Sequence, residues 1–174
     1  MSFMSRSPYF FVERYNKHTN KYELQHPLVW NWEHTDRVAA DLFPYDGCHE
    51  LFSIVEGENY DFPQMRGIHG GLPDETCEEI QKAYKDCSYD WDIEGEKHTY
   101  TPNAHWFTYA DMYIYCLEYP IVPDYEAEYD EGPLKTIPTP LKSLMDRVDA
   151  FLEIMDGWDW RDDYSRIRIV YWIQ

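Results

Sequence analysis

The chain has 174 residues, of which 44% are hydrophobic and 18% aromatic, and this excludes an intrinsically disordered protein. Its 15 basic and 33 acidic residues give a net charge of -18, which repels nucleic acid and anionic membranes from most of the surface. An anionic ligand therefore needs a local basic pocket. The 16 Tyr, 7 Trp and 8 Phe exceed what a core of this size needs, so we expect some rings at a surface or in a pocket.

The cysteines indicate the compartment. Cys48, Cys77, Cys87 and Cys116 form no Cys-x-x-Cys pair, and the chain shows neither a signal peptide nor an apolar run long enough to cross a membrane. We therefore expect a reduced, cytoplasmic setting with free thiols in the core. The even number of cysteines would also allow two disulfides.

The first predicted element is a β-hairpin, preceded by a loose start at residues 1–7. Residues 9–15 are aromatic and β-branched, residues 21–25 alternate, and residues 16–20 between them have turn chemistry. The pattern is typical of two antiparallel strands joined by a tight connection.

Two aromatic residues and two short helices are expected next. Trp30 and Trp32 lie two apart, which places both rings on one face of an extended segment. The edge of a core is favoured over a ligand platform, because large rings are usually buried. Helices are predicted at residues 37–43 and 47–55 from their capping and stop residues.

A glycine-rich loop spans residues 66–74. Its candidate ligand-binding residues are Arg66, His69, Gly70 and Gly71. Three glycines in five residues permit backbone angles closed to other residues, and Pro73 followed by two acids is typical of a helix start. We therefore expect the loop to enter a surface helix at residues 73–87 and to present backbone N–H groups, Arg66 and His69 to a ligand.

Residues 88–103 are polar with little periodicity and are predicted to form a long loop. Positions one, three, five and six of a calcium-binding loop are matched by Asp90, Asp92, Glu94 and Gly95. Position twelve, which needs a bidentate glutamate, is Thr101. A solvated acidic loop is therefore favoured over a calcium site, and no metal is expected.

Two helices are predicted in the second half of the chain. Thr108 caps a helix at residues 109–118, with Asp111 completing an approximate capping box. Residues 124–133 are assigned to an exposed acidic loop, because five like charges in eight residues repel one another. Thr139 and Pro140 then open a helix whose apolar residues form one stripe.

The terminal strand, residues 166–173, alternates. One side carries Ile167, Ile169, Tyr171 and Ile173, which we assign to the core. The other side places Arg166 and Arg168 beside Trp172, and two phosphate-binding forks next to a stacking ring would suit a nucleotide-like ligand. The alternative is that these arginines pair with Asp159, Asp162 or Asp163, which are nearby in the sequence.

Other site chemistry has weaker support. His105 and Trp106 are included as candidate ligand-binding residues. His69, His98 and His105 lack the spacing of a zinc site, so unrelated loop histidines are favoured. No Ser lies in Gly-x-Ser-x-Gly and no Cys has an obvious activating neighbour. We therefore expect no catalytic residue and no cofactor.

These elements predict an α+β fold. We expect one domain over residues 1–174, with a mainly antiparallel sheet that holds the N-terminal hairpin and the C-terminal strand. Three or four helices should pack on this sheet.

An aromatic first strand and several short motifs, which cover most of the chain in the same order, resemble a group of uncharacterised proteins encoded by tailed bacteriophages. The motifs are Glu13-Arg14, Lys21-Tyr22-Glu23-Leu24, residues 46–54, Gly71-Leu72-Pro73-Asp74, His105-Trp106-Phe107-Thr108 and Arg168-Ile169-Val170-Tyr171-Trp172. That group usually has Asp-Ile-His in the first strand, where this chain has Pro8 and Tyr9, and Arg-Gly-Leu-Pro in the loop, where residues 68–71 intervene. The resemblance implies a phage origin and the cytoplasm of an infected host, and it implies no activity.

Three functions are compatible with these features. The first is a counter-defence protein that binds and sequesters a nucleotide-type immune signal. The second is an acidic mimic of nucleic acid that inhibits a host defence protein, which the charge of -18 favours. The third is a hydrolase of the same signals, against which the missing motifs count. The expected partner is a small nucleotide-like ligand, with a host defence protein or a homo-oligomer as further options and with no direct nucleic acid or membrane binding.

Overall fold

The computed structural model describes residues 8–25, 54–55, 63–123, 135–156 and 159–173. Several predicted features lie outside these residues: the loose start at 1–7, Trp30 and Trp32, the helix at 37–43, Cys48 and the acidic loop at 124–133. Of the helix predicted at 47–55, only Ile54 and Val55 are described, and both are helical and buried.

The described residues form nine strands and three α-helices. The strands are β1 (Pro8–Asn16), β2 (Lys21–Leu24), β3 (His69–Gly70), β4 (Tyr89–Ile93), β5 (Glu96–Tyr100), β6 (His105–Thr108), β7 (Ile121–Pro123), β8 (Thr136–Pro138) and β9 (Ile167–Ile173). The helices are α1 (Glu78–Asp86), α2 (Tyr109–Glu118) and α3 (Pro140–Asp156), and a 3-10 segment, Asp159–Arg166, leads into β9. No helix in this described part is long and apolar enough to span a membrane.

Five strands form an antiparallel sheet in the order β2-β1-β9-β6-β3, while β4–β5 and β7–β8 form two separate ribbons. The predicted α+β fold is confirmed, since the N-terminal hairpin and the C-terminal strand lie side by side in the main sheet. Their pairing is long because both strands are rich in aromatic and β-branched residues, which suit a pleated surface.

Both faces of β1 and β9 are covered. On one face α2 and α3 close a large core, whose sheet residues include Phe10, Ile169 and Tyr171. On the other face α1 closes a smaller core that includes Phe11, Val170 and Trp172. The prediction that only the isoleucine and tyrosine side of β9 is buried was therefore wrong, because a second layer of structure covers the opposite side.

The two helices predicted in the second half of the chain are confirmed. In α2, the Asp111 backbone N–H donates to the Thr108 hydroxyl at 3.2 Å and the Thr108 N–H donates to the Asp111 carboxylate at 2.9 Å, which completes the capping box. In α3, the predicted stripe is buried in the large core through Leu144, Val148 and Leu152. The Thr139 hydroxyl does not cap α3, since it is buried without a hydrogen-bond partner among the described residues.

The loop predicted at residues 88–103 is wrong over most of its length, because β4 and β5 form a hairpin there. Its turn is Glu94-Gly95, and both residues have positive φ values, 54° and 88°. A two-residue turn of this kind matches the twist of the flanking strands, and glycine adopts it without steric cost. The Asp92 carboxylate accepts a 2.8 Å hydrogen bond from the Gly95 N–H and stabilises the turn.

Cys77, Cys87 and Cys116 are buried free thiols. Burial raises the pKa of Cys77 to about 12 and that of Cys116 to about 11. The thiolate, which is the reactive form, is therefore disfavoured at both positions.

Candidate functional site

The glycine-rich loop does not run directly into a helix. Helix α1 begins at Glu78, and its N-cap is Cys77 rather than a residue near Pro73. The carboxylate of Glu13, from β1, accepts hydrogen bonds from the Cys77 backbone N–H at 2.9 Å and from the Thr76 hydroxyl at 2.8 Å. A side chain of the protein thus already occupies the anion-binding end of α1, so the predicted contribution of this helix start to a phosphate site was wrong.

Arg168 neutralises the same carboxylate. Its Nε donates to Glu13 Oε1 at 2.8 Å, its Nη2 lies 2.5 Å from that oxygen, and its Nη1 donates to the Asp74 carbonyl at 2.9 Å. Glu13 is fully buried and Arg168 is 5% exposed. Two charges can be buried here because each neutralises the other. Arg168 therefore presents no open phosphate fork, and its partner is Glu13 rather than a nearby aspartate of the 3-10 segment.

Trp172 is also unavailable to a ligand. It is 0% exposed and stacks with Tyr9 and Phe11 at centroid distances of 5.5 and 5.0 Å. Its indole N–H donates to the Cys87 sulfur at 3.4 Å, and Tyr84 of α1 meets its ring edge-on. The prediction that Trp172 offers a stacking surface was therefore wrong, because α1 covers this end of the sheet face.

Beyond α1, the same sheet face continues as a partly exposed aromatic surface, which we call the ring face. It consists of Tyr15, Tyr22, His69, Trp106, Arg166 and Arg168. The register explains why they meet, because directly paired residues share a face and alternate residues of one strand do so too. Tyr15 pairs with Tyr22, and His69 pairs with Trp106. Arg168 pairs with Thr108, two residues from Trp106 on β6.

The side chains of the ring face form a row across the sheet. The Arg168 guanidinium carbon lies 3.3 Å from the Tyr22 ring centroid and 5.6 Å from that of Trp106. His69 stacks on Trp106 at 4.3 Å with an interplanar angle of 20°. The Arg166 guanidinium carbon lies 4.5 Å from the Tyr15 centroid. These cation–π and stacking contacts hold the rings in fixed positions.

Arg168 is buried and Arg166 is exposed, so only Arg166 can contact a ligand with its charged group. The Arg166 side chain is 48% exposed and lies 3.5 Å from the Asp163 carboxylate, which Lys17 also approaches at 3.7 Å. Asp163 is one of the three aspartates that the ion-pair alternative offered as partners of Arg166. A partly exposed pair at this distance contributes little to stability, so an incoming anion can replace Asp163. Burial raises the pKa of Tyr22, and the nearby Arg168 opposes that shift.

Arg66 lies in a different groove. This groove has a volume of about 200 Å³ and runs along α2, where Asp111, Glu118 and Tyr119 line it. Gly67 has a φ of 84°, and a Cβ at this position would collide with the Asp111 carboxylate, so only glycine fits. The groove combines one cation with two carboxylates, and it does not include the arginines of β9.

The remaining candidate residues make contacts within the main sheet. The Gly71 N–H donates to the Ala104 carbonyl at 2.8 Å, so it is not available to a ligand. Gly70 pairs with His105, and the His105 ring stacks with Tyr171 at 5.6 Å on the opposite sheet face. Of the nine predicted ligand-binding residues, only His69, Trp106, Arg166 and Arg168 come together on the ring face.

Sequence reasoning missed Tyr15, Tyr22 and Glu13. The tyrosines could have been found, because a hairpin with this turn places them opposite each other on one face. Glu13 carried no local signal, since its partners Thr76 and Arg168 are distant in the chain. Comparisons with protein-family models, with curated proteins and with solved structures found no match to this chain. Function is therefore inferred from the chain's own residues.

Proposed function

We propose that this protein binds a planar, negatively charged small molecule of the nucleotide type on its ring face. The observation that carries the proposal is the grouping of half-buried Tyr15, Tyr22 and Trp106 with exposed Arg166 and His69 on one face of a rigid sheet. We further propose that the molecule is an immune signal which a phage-encoded protein sequesters in the cytoplasm of the infected host. The resemblance to phage proteins and the absence of a catalytic motif in the sequence support that part.

Stacking provides the first contribution to binding. The rings of Tyr22 and Trp106 are already ordered by Arg168 and His69, so a base that joins them loses little of its binding energy to side-chain ordering. A stacked base contributes about 1 to 3 kcal/mol. Because the rings are half-buried, part of each still faces solvent.

Charge provides the second contribution. The chain has a net charge of -18, so a cation at the surface is a strong local exception. Arg166 can exchange its partly exposed carboxylate partner for a phosphate and form a charged hydrogen bond, which contributes about 1.5 to 3 kcal/mol. Arg168 acts indirectly, because it holds Tyr22 in place from below.

Isothermal titration calorimetry with cyclic dinucleotides and ADP-ribose tests the proposal. Wild type should bind one of these probes, and Arg166→Ala and Trp106→Ala should each weaken binding by about tenfold, which corresponds to about 1.4 kcal/mol. Arg66→Ala is the matched control, since it removes an exposed arginine from the separate groove. Absence of binding by wild type, or a loss confined to Arg66→Ala, would contradict the proposal.

A further inference from the structure

The β4–β5 ribbon exposes large apolar side chains. All five residues of β4 are exposed, including Tyr89 at 55%, Trp91 at 39% and Ile93 at 53%. Among the described residues, the two strands of the ribbon pair with each other and not with the main sheet. Every second residue of β4 is thus large and apolar although none of these side chains is buried in the fold. Exposed apolar patches of this kind mark interaction sites.

Strand alternation gathers these side chains on one face of the ribbon, which we call the aromatic face. Across the ribbon, Tyr89 meets Tyr100 at a centroid distance of 5.1 Å, and Trp91 stacks on His98 at 5.5 Å with an interplanar angle of 21°. The rings are thus held in place before any partner arrives. Rigid, ordered Trp and Tyr side chains are the residues that most often dominate protein–protein binding energy.

The ribbon that carries the aromatic face is acidic. Within residues 89–100 there are four acids and one lysine, so the segment carries a net charge of -3. The charged residues of this segment are Asp90, Asp92, Glu94, Glu96 and Lys97, and all five side chains are exposed. Glu96 pairs with Ile93 and therefore lies on the aromatic face itself. A second copy of this acidic chain would place carboxylates against carboxylates, so a copy is a poor occupant.

We propose that the aromatic face docks on a partner protein whose surface carries arginine or lysine side chains around an apolar centre. The apolar centre would bury Trp91 and Ile93, while the surrounding cations would pair with Glu96, which lies on the same face. Arginine suits this surface best, because it pairs with carboxylates and also stacks on aromatic rings. This inference rests on the ribbon alone and is independent of the ligand proposed for the ring face.

Peptide probes test the inference with the full-length, isotope-labelled protein. One peptide alternates arginine with leucine, a second alternates arginine with serine, and a third alternates glutamate with leucine. The arginine–leucine peptide should bind, shift amide resonances of residues 89–100, and bind about tenfold more weakly to Trp91→Ser and to Ile93→Ser. Tyr113→Ser is the matched control, since Tyr113 is an exposed ring on α2, at 38% exposure.

Four results would overturn the inference. Equal binding of the arginine–serine peptide would show that charge alone is recognised, and shifts outside residues 89–100 would place the surface elsewhere. No binding of the arginine–leucine peptide would remove the docking role. Sedimentation that shows a wild-type dimer, dissociated by Trp91→Ser, would make a second copy the occupant.

Discussion

Strands β9 and β4 have similar alternating sequences and opposite environments. Both place large apolar side chains at every second position, yet residues 167–172 of β9 are all buried and every residue of β4 is exposed. The difference lies in their neighbours. Strand β9 is paired on both edges and is covered on both faces, whereas within the described ranges β5 is the one strand that pairs with β4. The elements that pack on a strand, more than its own alternating sequence, decide whether its side chains are buried in a core or exposed.

Buried and exposed charged side chains of the two regions are also stabilised differently. Arg168 lies beneath a helix start and therefore requires the carboxylate of Glu13 and the carbonyl of Asp74. In the exposed ribbon, Asp90 accepts a 2.6 Å hydrogen bond from the Thr99 hydroxyl and needs no cation, because water solvates it. A buried charge thus depends on distant residues, and an exposed charge does not.

The largest expected effect is a difference in the free energy of unfolding between variants of Trp172 and of Trp91. Trp172→Ala should lower the free energy of unfolding by about 3 to 5 kcal/mol, because it opens a cavity in the smaller core. Trp91→Ala should change it by no more than about 0.5 kcal/mol, since the ring is exposed. Equilibrium urea denaturation measures both. Similar values for the two variants would mean that the burial contrast between β9 and β4 is wrong.

Removal of the buried cation should have the next largest effect. Arg168→Met should cost about 3 kcal/mol, because it leaves the Glu13 carboxylate buried without its counter-charge. Arg166→Met is the matched control, and it should cost about 1 kcal/mol or less because its ion pair is partly exposed. The same denaturation experiment compares them, and equal losses would contradict the different roles assigned to the two arginines.

A smaller effect is expected at the start of α2. Thr108→Ala removes the hydroxyl that accepts from the Asp111 N–H, so it should lower the free energy of unfolding by about 1 kcal/mol. Thr108→Ser keeps a hydroxyl at this position and should recover most of that loss. Thermal denaturation followed by circular dichroism is a sufficient measurement, and an unchanged melting temperature for Thr108→Ala would exclude the capping role.

The smallest effect is a dependence on alkaline pH. The pKa values of Cys77 and Cys116 rise from an ordinary value of 9.0 to about 12 and about 11 in the folded protein. Because the raised values favour the thiol form, their contribution to stability is complete below pH 9 and is lost as pH rises toward 11 to 12. The melting temperature should therefore fall above pH 9, and Cys77→Ala with Cys116→Ala should flatten that decline. An identical slope in the double variant would refute this origin.

Much of the fold could be predicted because its signals are local. The turn at residues 17–20, the Thr108–Asp111 capping box and the apolar stripe of α3 are all encoded within one element. The start of α1 and the β4–β5 ribbon were predicted wrongly for identifiable reasons. The cap of α1 comes from Glu13, 64 residues away from Cys77, and the acids at alternate positions of β4 concealed a strand that has no buried face.

The candidate site could be predicted only in part. Alternation correctly placed Arg166, Arg168 and Trp172 on one side of β9, but it could not show that α1 covers Trp172. That cover depends on how helix and sheet pack, which no local pattern records. The hairpin alone could have placed Tyr15 opposite Tyr22, but the complete ring face required the pairing of all five strands of the main sheet and therefore became visible only in the fold.

The most direct test of the proposed function is a chemical-shift map of the labelled protein titrated with cyclic dinucleotides and ADP-ribose. We predict saturable shifts of the Trp106 indole N–H and of the backbone amides at residues 105–108 and 166–168, with little change in the β4–β5 ribbon. These groups surround the rings of the ring face. No saturable shift with any probe, or shifts confined to the groove beside Arg66, would contradict the assignment of the ring face as a binding site.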